Sequence, residues 1–373
     1  MSSTTIQYEA LAQQIESILK DPRAITTQIK DEKIRRRLAA GGRKLGISLE
    51  EPRDTLRRFG YMHFQLPLAL VGVETGLFAA LAAEPRSFTS AELAEKTGVN
   101  LSLLKRLLRY YQALDMISQI ENDTWQSSNV TQILSNDYHA NVLRFSQKIT
   151  APASLSLPEW LQSNGYKDPT GLTPTAWGSA FHTDQHPYSW LADNPWALEL
   201  ALAHMRIQRE GRPLFFDALD FEKRFAQDTT SSTVLFVDIG GSTGSQSLTF
   251  RQRYPSLPGR VIVQDRPEIV QRAKATLASS ANIEAEEYDI FTPEPVKGMT
   301  DQSVVMIDET VLSERGAAPR GAQHDMEVML CVGAKERTKA EWEKLLEDAG
   351  LKLREVVKYD EEYEDCLIIA GLK

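Results

Sequence analysis

The chain is poor in cysteine, with only Cys331 and Cys366 among 373 residues. Two cysteines cannot build a disulfide framework, and these two lack metal-ligand spacing, so neither a stapled secreted fold nor a structural metal site is expected. A reduced, cytoplasmic chain is the expectation. Long apolar runs are also missing. None reaches the roughly 18–20 residues that span a bilayer, and the opening MSSTTIQYEALAQQ has no basic-then-apolar signal layout. No membrane partner is therefore expected. Positive charge is in deficit: 42 Lys and Arg stand against 51 Asp and Glu, a net charge of -9. That balance argues against nucleic acid as the main partner, because binding it relies on neutralising phosphates.

The length favours two domains, with a boundary expected near residues 150 and 151. Ile6, Leu11, Ile15, Ile18 and Leu19 fall at helical spacing and predict an amphipathic helix. Residues 21–58 are charge-rich. Arg35-Arg36-Arg37 read as a solvated face, and Gly41-Gly42 as a break in the pattern. Met62 to Ala82 is apolar at helical period. Next, Ser90 is expected to cap a helix from Ala91 to Lys96, Gly98 to make a turn, and Leu101–Leu114 to form a second helix. Met116–Ile120 and Thr124–Ser127 read as a hairpin around Asn122-Asp123. Helix, turn, helix and two-stranded wing make a winged-helix pattern. Lys105, Arg106 and Arg109 on its second helix raise a DNA-binding regulator as one reading. The acidic total, and the lack of base-reading side chains beside them, count against it. Residues 150–230 read as irregular and aromatic-rich, with Trp160, Trp177, Phe181, Trp190 and Trp196 mostly as core.

From Val234 strands alternate with helices: Val234–Ile239, Arg260–Gln264, Asn282–Asp289, Val304–Ile307, Leu353–Lys358 and Cys366–Gly371 as strands. Pro267–Leu277 and Lys339–Ala349 are the clearest helices, the second opened by a Thr338-x-x-Glu341 capping box and closed at Gly350. Such alternation predicts a parallel, doubly wound α/β sheet. Asp238-Ile-Gly-Gly-Ser-Thr-Gly244 follows the first of these strands and leads into a helix. Glycine there lets the backbone turn sharply and admits a ligand without a Cβ in the way. Asp265 ends the next strand, where an acid meets ribose hydroxyls. The third glycine of a dinucleotide fingerprint is replaced by Ser245, which favours adenosine with an amino-acid tail over a pyrophosphate. Asp289 ends the third strand, where an acceptor can meet an adenine amino group or simply close a turn.

These residues carry a resemblance. VDIGGSTGSQS (237–247), VIVQDRPEIV (261–270), YDIFTPEPVKG (288–298) and ERTKAEWEKLLEDAGLKL (336–353) resemble the motifs of the class I, plant- and fungal-type O-methyltransferases, the caffeate O-methyltransferase-like family. The likeness covers nearly the whole chain. It implies a helical winged-helix dimerisation domain over 1–150, then a Rossmann-like methyltransferase domain over 151–373 that includes the helices of the substrate pocket. It implies S-adenosyl-L-methionine as cofactor, with Gly240, Gly241 and Gly244 at its amino-acid end, Asp265 on the ribose, and Asp289 with Ile290 beside the adenine. It also implies a phenolic or polyketide acceptor and a homodimer.

One family feature is absent. The family's general base is a histidine in a His-Asp-Trp sequence at the end of the fourth strand. Here only twelve residues, Phe291 to Gln302, separate the third motif from the match to the fifth strand. A parallel crossover alone needs about a dozen residues, so the fourth strand is expected to be missing from the middle of the sheet, leaving ladder groups of the first strand unpaired unless the fifth strand slides across. Glu309 and Glu336 match the acids that flank the base. His324 is the nearest histidine by position, although a surface or helix-end role is the plainer expectation for it. Two alternatives to methyl transfer follow: a relative that binds the cofactor but promotes a rearrangement or pericyclic step, or an inactive truncated form.

Overall fold

A computed structural model describes residues 3–20, 25, 28–169, 174–277, 282–297 and 299–373. Gly298, the last residue of the third motif, and residues 170–173 of the aromatic-rich stretch lie outside the described residues. The chain divides into two compact units, Met1–Tyr166 with Ala176–Glu210, and Lys167–Thr175 with Gly211–Lys373.

In the first unit, α1 (Ser3–Leu19) presents all five of its predicted apolar positions to the exterior. Helix α2 (Glu32–Leu49) is capped by Asp31, whose carboxylate accepts from the N–H groups of Lys33 (2.8 Å) and Ile34 (3.2 Å). It runs straight through Gly41 and Gly42, contrary to the expected break. A helical glycine costs about 1 kcal/mol relative to alanine, which a capped helix of this length survives. The arginine run is indeed solvated: Arg35 and Arg36 bind Glu32 and hold its carboxyl down to about 2. Neither α2 nor α3 (Pro52–Tyr61) buries any residue.

The predicted apolar stretch becomes α4 (Gln65–Glu74) and α5 (Leu77–Ala82), divided where Gly76 turns left-handed at φ 70°. Strand β1 (Phe88–Thr89) leads into α6 (Ser90–Thr97), then α7 (Leu101–Ala113), β2 (Ile117–Glu121) and β3 (Thr124–Ser127). The cap of α6 is Thr89 and not Ser90. Thr89 shares a capping box with Glu92, and Ser90 turns inward to accept from the Trp125 indole at 2.9 Å and bond to Asp123. A core of Leu77, Phe78, Leu93, Leu104, Leu108 and Tyr111 forms beneath them.

The stretch expected to be irregular is mostly helical. After α8 (Asn129–Leu134) and α9 (Asp137–Phe145) come α10 (Ala151–Ser163), α11 (Ala176–Phe181), α12 (Pro187–Asp193) and α13 (Pro195–Arg209). Its rings hide the helical period by packing on one another. Trp177 stacks on Phe181 at 4.8 Å between centroids, and Trp190 meets both edge-on at 5.2 and 5.1 Å.

The second unit opens with α14 (Phe221–Phe225). Strand β4 (Val234–Ile239), α15 (Ser245–Arg253), β5 (Arg260–Asp265), α16 (Pro267–Leu277) and β6 (Ile283–Glu287) follow, the strands pairing in parallel in the order β4-β5-β6. Then β7 (Val305–Leu312), α17 (Pro319–Val332), β8 (Arg337–Thr338), α18 (Lys339–Asp348), β9 (Leu351–Asp360) and β10 (Asp365–Leu372) build a second sheet, ordered β8-β7-β10-β9. The parallel expectation fails there: β10 is antiparallel to both β7 and β9. Alternation reveals strands but not their partners, and the hairpin joining β9 to β10 forces the reversal.

Among the described residues β4 pairs with β5 alone, and the segment 288–304 contributes neither helix nor strand. Burial follows the pairing. Val261, Ile262, Val263 and Gln264 of β5 are sealed, whereas no residue of β4 is fully buried. The two sheets meet in one cluster built around Phe216, Phe221 and Phe250, which gathers Leu235 and Phe236 of β4, Val261 of β5, Ile283 of β6, Val304 and Met306 at the start of β7, and Leu367 and Ile369 of β10.

Candidate active site

The chain leaves β4 through three left-handed residues in five, Gly240 (φ 72°), Ser242 (φ 53°) and Gly244 (φ 83°). Left-handed backbone is cheap only for glycine, so Ser242 needs support. Its N–H donates to Asp265 Oδ2 at 2.9 Å, while those of Gly240 and Gly241 donate to the Gln264 carbonyl at 2.8 and 3.2 Å. A Cβ on Gly241 would lie 2.7 Å from Asp238 Cγ, whereas one on Gly240 would enter open space. The loop is therefore tight beneath and open above. Asp238, at the end of β4, is pushed above the ordinary carboxyl range by burial, partly opposed by the Ser247 hydroxyl, which donates to it at 2.8 Å. Asp238 and Ser242 were not singled out in sequence as site residues. An acid near the end of an apolar run, just before the glycines, is the signal that points to Asp238.

Asp265 also accepts from the Arg266 N–H at 2.8 Å, and its carbonyl accepts from Tyr288 N–H at 2.9 Å. That last bond draws the 288–292 turn up beside the glycine loop. Asp289 closes the turn, its carboxylate accepting from Phe291 N–H at 3.0 Å, and Ile290 is exposed next to it. Thus Gly240, Gly241, Gly244, Asp265, Asp289 and Ile290 come together at the C-terminal ends of parallel strands, where open α/β sheets bind their ligands.

A second group forms around α17. His324 Nδ1 lies 2.8 Å from Oε1 of Glu336, whose side chain is only 7% exposed. Asp325 accepts from Glu336 N–H at 2.8 Å and fixes that turn of chain. Glu336 lifts the His324 imidazole above its ordinary value against the opposing effect of burial, and Glu327 and Glu309 add to the rise. Burial raises the Glu327 carboxyl in turn, with His324 pulling the other way. His324 is mid-helix and half-buried, where a surface or helix-end position is the plainer expectation. Sequence did not single out Asp325 or Glu327. Cys331 on the same helix is pushed up to about 12 by burial, which excludes it as a thiolate nucleophile near neutral pH.

The frame holding α17 depends on Glu364, a 2% exposed residue at φ 60°. Its carboxylate accepts from the N–H groups of Ser313 and Ala318, both at 3.1 Å, and from the Ser313 hydroxyl, with Lys358 Nζ at 3.5 Å. Burial alone would raise this carboxyl. The Ser313 hydroxyl, the two N–H groups and Lys358 overcome that and hold it below its ordinary range. Among the described residues no group of three or more His, Cys, Asp or Glu could hold a metal ion, and no helix is long and apolar enough to cross a membrane.

A parallel β-α-β-α-β unit with a glycine turn closing on a strand-end aspartate defines a Rossmann-like nucleotide-binding fold. The open space above Gly240, the backbone turn and the half-buried Asp265 carboxylate fit an adenosine carrying an amino-acid tail. Comparison with known proteins identifies the branch. The chain is 33% identical over 348 residues to O-methyltransferase lepI of Aspergillus flavus, covering 85% of this chain and 89% of that protein. A solved structure of LepI in complex with S-adenosylmethionine is 31% identical with a TM-score of 0.84, covering 97% of this chain and all of the other. A structure described as a pericyclic reaction enzyme is 30% identical at the same TM-score and coverage. No protein-family model matches the chain. The chain belongs to the S-adenosylmethionine-dependent O-methyltransferase family.

Proposed function

We propose that this protein transfers a methyl group to a hydroxyl of an aromatic or polyketide secondary metabolite. The observation that carries the reading is the glycine turn closed by Asp265 at the ends of β4 and β5, in a chain of this family. Gly240, Gly241 and Gly244 would hold the amino-acid end of S-adenosylmethionine, Asp265 the ribose hydroxyls, and Asp289 with Ile290 the adenine edge. When bound, that cofactor supplies an electrophilic methyl group, so the protein's own work is to place a hydroxyl in line, exclude water and accept a proton. Glu309 and Glu336 are the acids assigned beside the acceptor. Incubating the purified chain with labelled cofactor and a panel of phenols tests this. Label should appear in a product heavier by one methylene, and no transfer to any acceptor would count against it.

A second reading has its own support in the similarity to a pericyclic enzyme and in the lack of a His-Asp-Trp sequence. Under it the cofactor is retained for its charge, and the product has the mass of the substrate. If product formed equally without added cofactor, this second reading would fail.

The short stretch from Phe291 to Gln302 is read as the place where relatives carry a fourth strand, its helix and the usual histidine. The unpaired edge and incomplete burial of β4 support that reading. Residues 1–150 are proposed as a winged-helix dimerisation domain. Helices α1 to α3 leave Leu11, Leu38, Leu56 and Phe59 exposed, 74% in the case of Leu56, and apolar surface of this extent marks an association face. Light scattering is expected to give about twice the 41.9 kDa of one chain. The double substitution Leu56→Asp, Phe59→Asp should return it to the single-chain mass. A variant that stayed dimeric would place the contact elsewhere.

A further inference from the structure

We propose that His324, oriented by Glu336, is the group that takes the proton from the acceptor hydroxyl in this protein. The inference rests on the methyl-transfer reading and supplies the base that reading otherwise lacks. Of the six histidines, at positions 63, 139, 182, 186, 204 and 324, only the last falls within residues 211–373, the part of the chain that carries the glycine turn.

The geometry is that of a working base. A buried carboxylate on one ring nitrogen fixes the tautomer and stabilises the imidazolium that forms when the other nitrogen takes a proton. Glu336 meets Nδ1 at 2.8 Å, and the His324 side chain is 40% exposed, so a small molecule can reach the ring. Glu336 is itself held through its backbone by Asp325. The groups that act on the imidazole are Glu336 from the segment before β8, Glu327 from its own helix and Glu309 from β7. All three are acidic, which favours the protonated ring once the transfer has occurred.

Placement supports the same role. The starts of β4, β5, β6 and β7 meet in one hydrophobic cluster. β7, which carries Glu309, thus shares its core with the strands that end in the glycine turn and Asp265. In the step itself the acceptor O–H bond breaks and its proton passes to His324 Nε2. The bonding pair stays on the acceptor oxygen as nucleophile, and the imidazolium is balanced by Glu336 until the proton passes to water.

Two measurements on the full chain test this. The first is the pH–rate profile of methyl transfer for the wild type and His324→Gln, with S-adenosylhomocysteine affinity measured alongside. Loss of general base catalysis is worth about 10²-fold or more, so kcat/KM should fall by at least that factor. The rise of rate with pH through the elevated imidazole midpoint should vanish, and cofactor affinity should be unchanged. The second is the proton-resonance titration of His324 in the cofactor-free protein, whose midpoint should drop in Glu336→Gln. An active His324→Gln with the wild-type pH profile, or a midpoint indifferent to Glu336→Gln, would overturn the proposal. The methyl-transfer reading fails differently: there the wild type itself methylates nothing, and this role for His324 falls with it.

Discussion

Replacing Asp265 by alanine lowers the affinity for S-adenosylhomocysteine by about 100-fold, and replacing it by asparagine by about tenfold. Two effects add in the alanine variant. A charge-assisted hydrogen bond to a hydroxyl is worth about 1.5–3 kcal/mol, a factor of roughly 10 to 150. Asp265 is also the acceptor that holds Ser242 N–H in its left-handed conformation, so its loss frees the glycine turn from its anchor. Asparagine keeps a carbonyl for Ser242 and loses only the charge. Because Asp265 is half-buried at the end of β5 and its strand register rests on backbone pairing, thermal unfolding should shift little in either variant. Titration calorimetry decides the matter. Equal binding by wild type and Asp265→Ala would remove this residue from the cofactor site.

Glu364→Ala produces the largest loss of stability among the single changes considered. It strips the acceptor from Ser313 N–H, Ala318 N–H and Lys358 together. Removing one partner of a buried charged group costs about 3–5 kcal/mol, which corresponds to roughly 10 °C or more in the unfolding temperature of a unit this size. A pH dependence follows. The folded Glu364 carboxyl lies below its ordinary value, so its contribution is fully present above the unfolded carboxyl range and is lost as pH falls through the lower, folded value. Wild type should therefore lose its margin over Glu364→Ala on acidification. Melting curves for both proteins at neutral and acid pH show this directly, and a constant gap across that range would contradict it.

Much of the second unit was legible because its signals are local. Helix α16 spans the predicted Pro267–Leu277, and the Thr338–Glu341 capping box starts α18 as expected. Val234–Ile239 is a strand because a continuous apolar run ending in two glycines has few other uses. What escaped depends on distant partners. Thr89 takes the cap from Ser90 because Trp125, thirty-five residues on from Ser90, claims its hydroxyl. The antiparallel half-sheet is decided by the β9–β10 hairpin, which no alternation pattern encodes. His324 and Glu336 are twelve residues apart and meet only because the chain turns back at Gly333, left-handed at φ 64°. In the candidate site the glycines and Asp265 could be named from spacing alone. The half-buried Asp325 and Glu327 could not, since their roles come from contacts rather than from their own motif.

The central claim is that a cofactor site works in a sheet whose β4, among the described residues, pairs with β5 alone. Calorimetric titration of the purified chain with S-adenosylhomocysteine tests it most directly. The account predicts one site per chain with a micromolar dissociation constant. No binding heat from a sample that melts cooperatively would contradict it, and would leave this chain with the family's fold but without its cofactor.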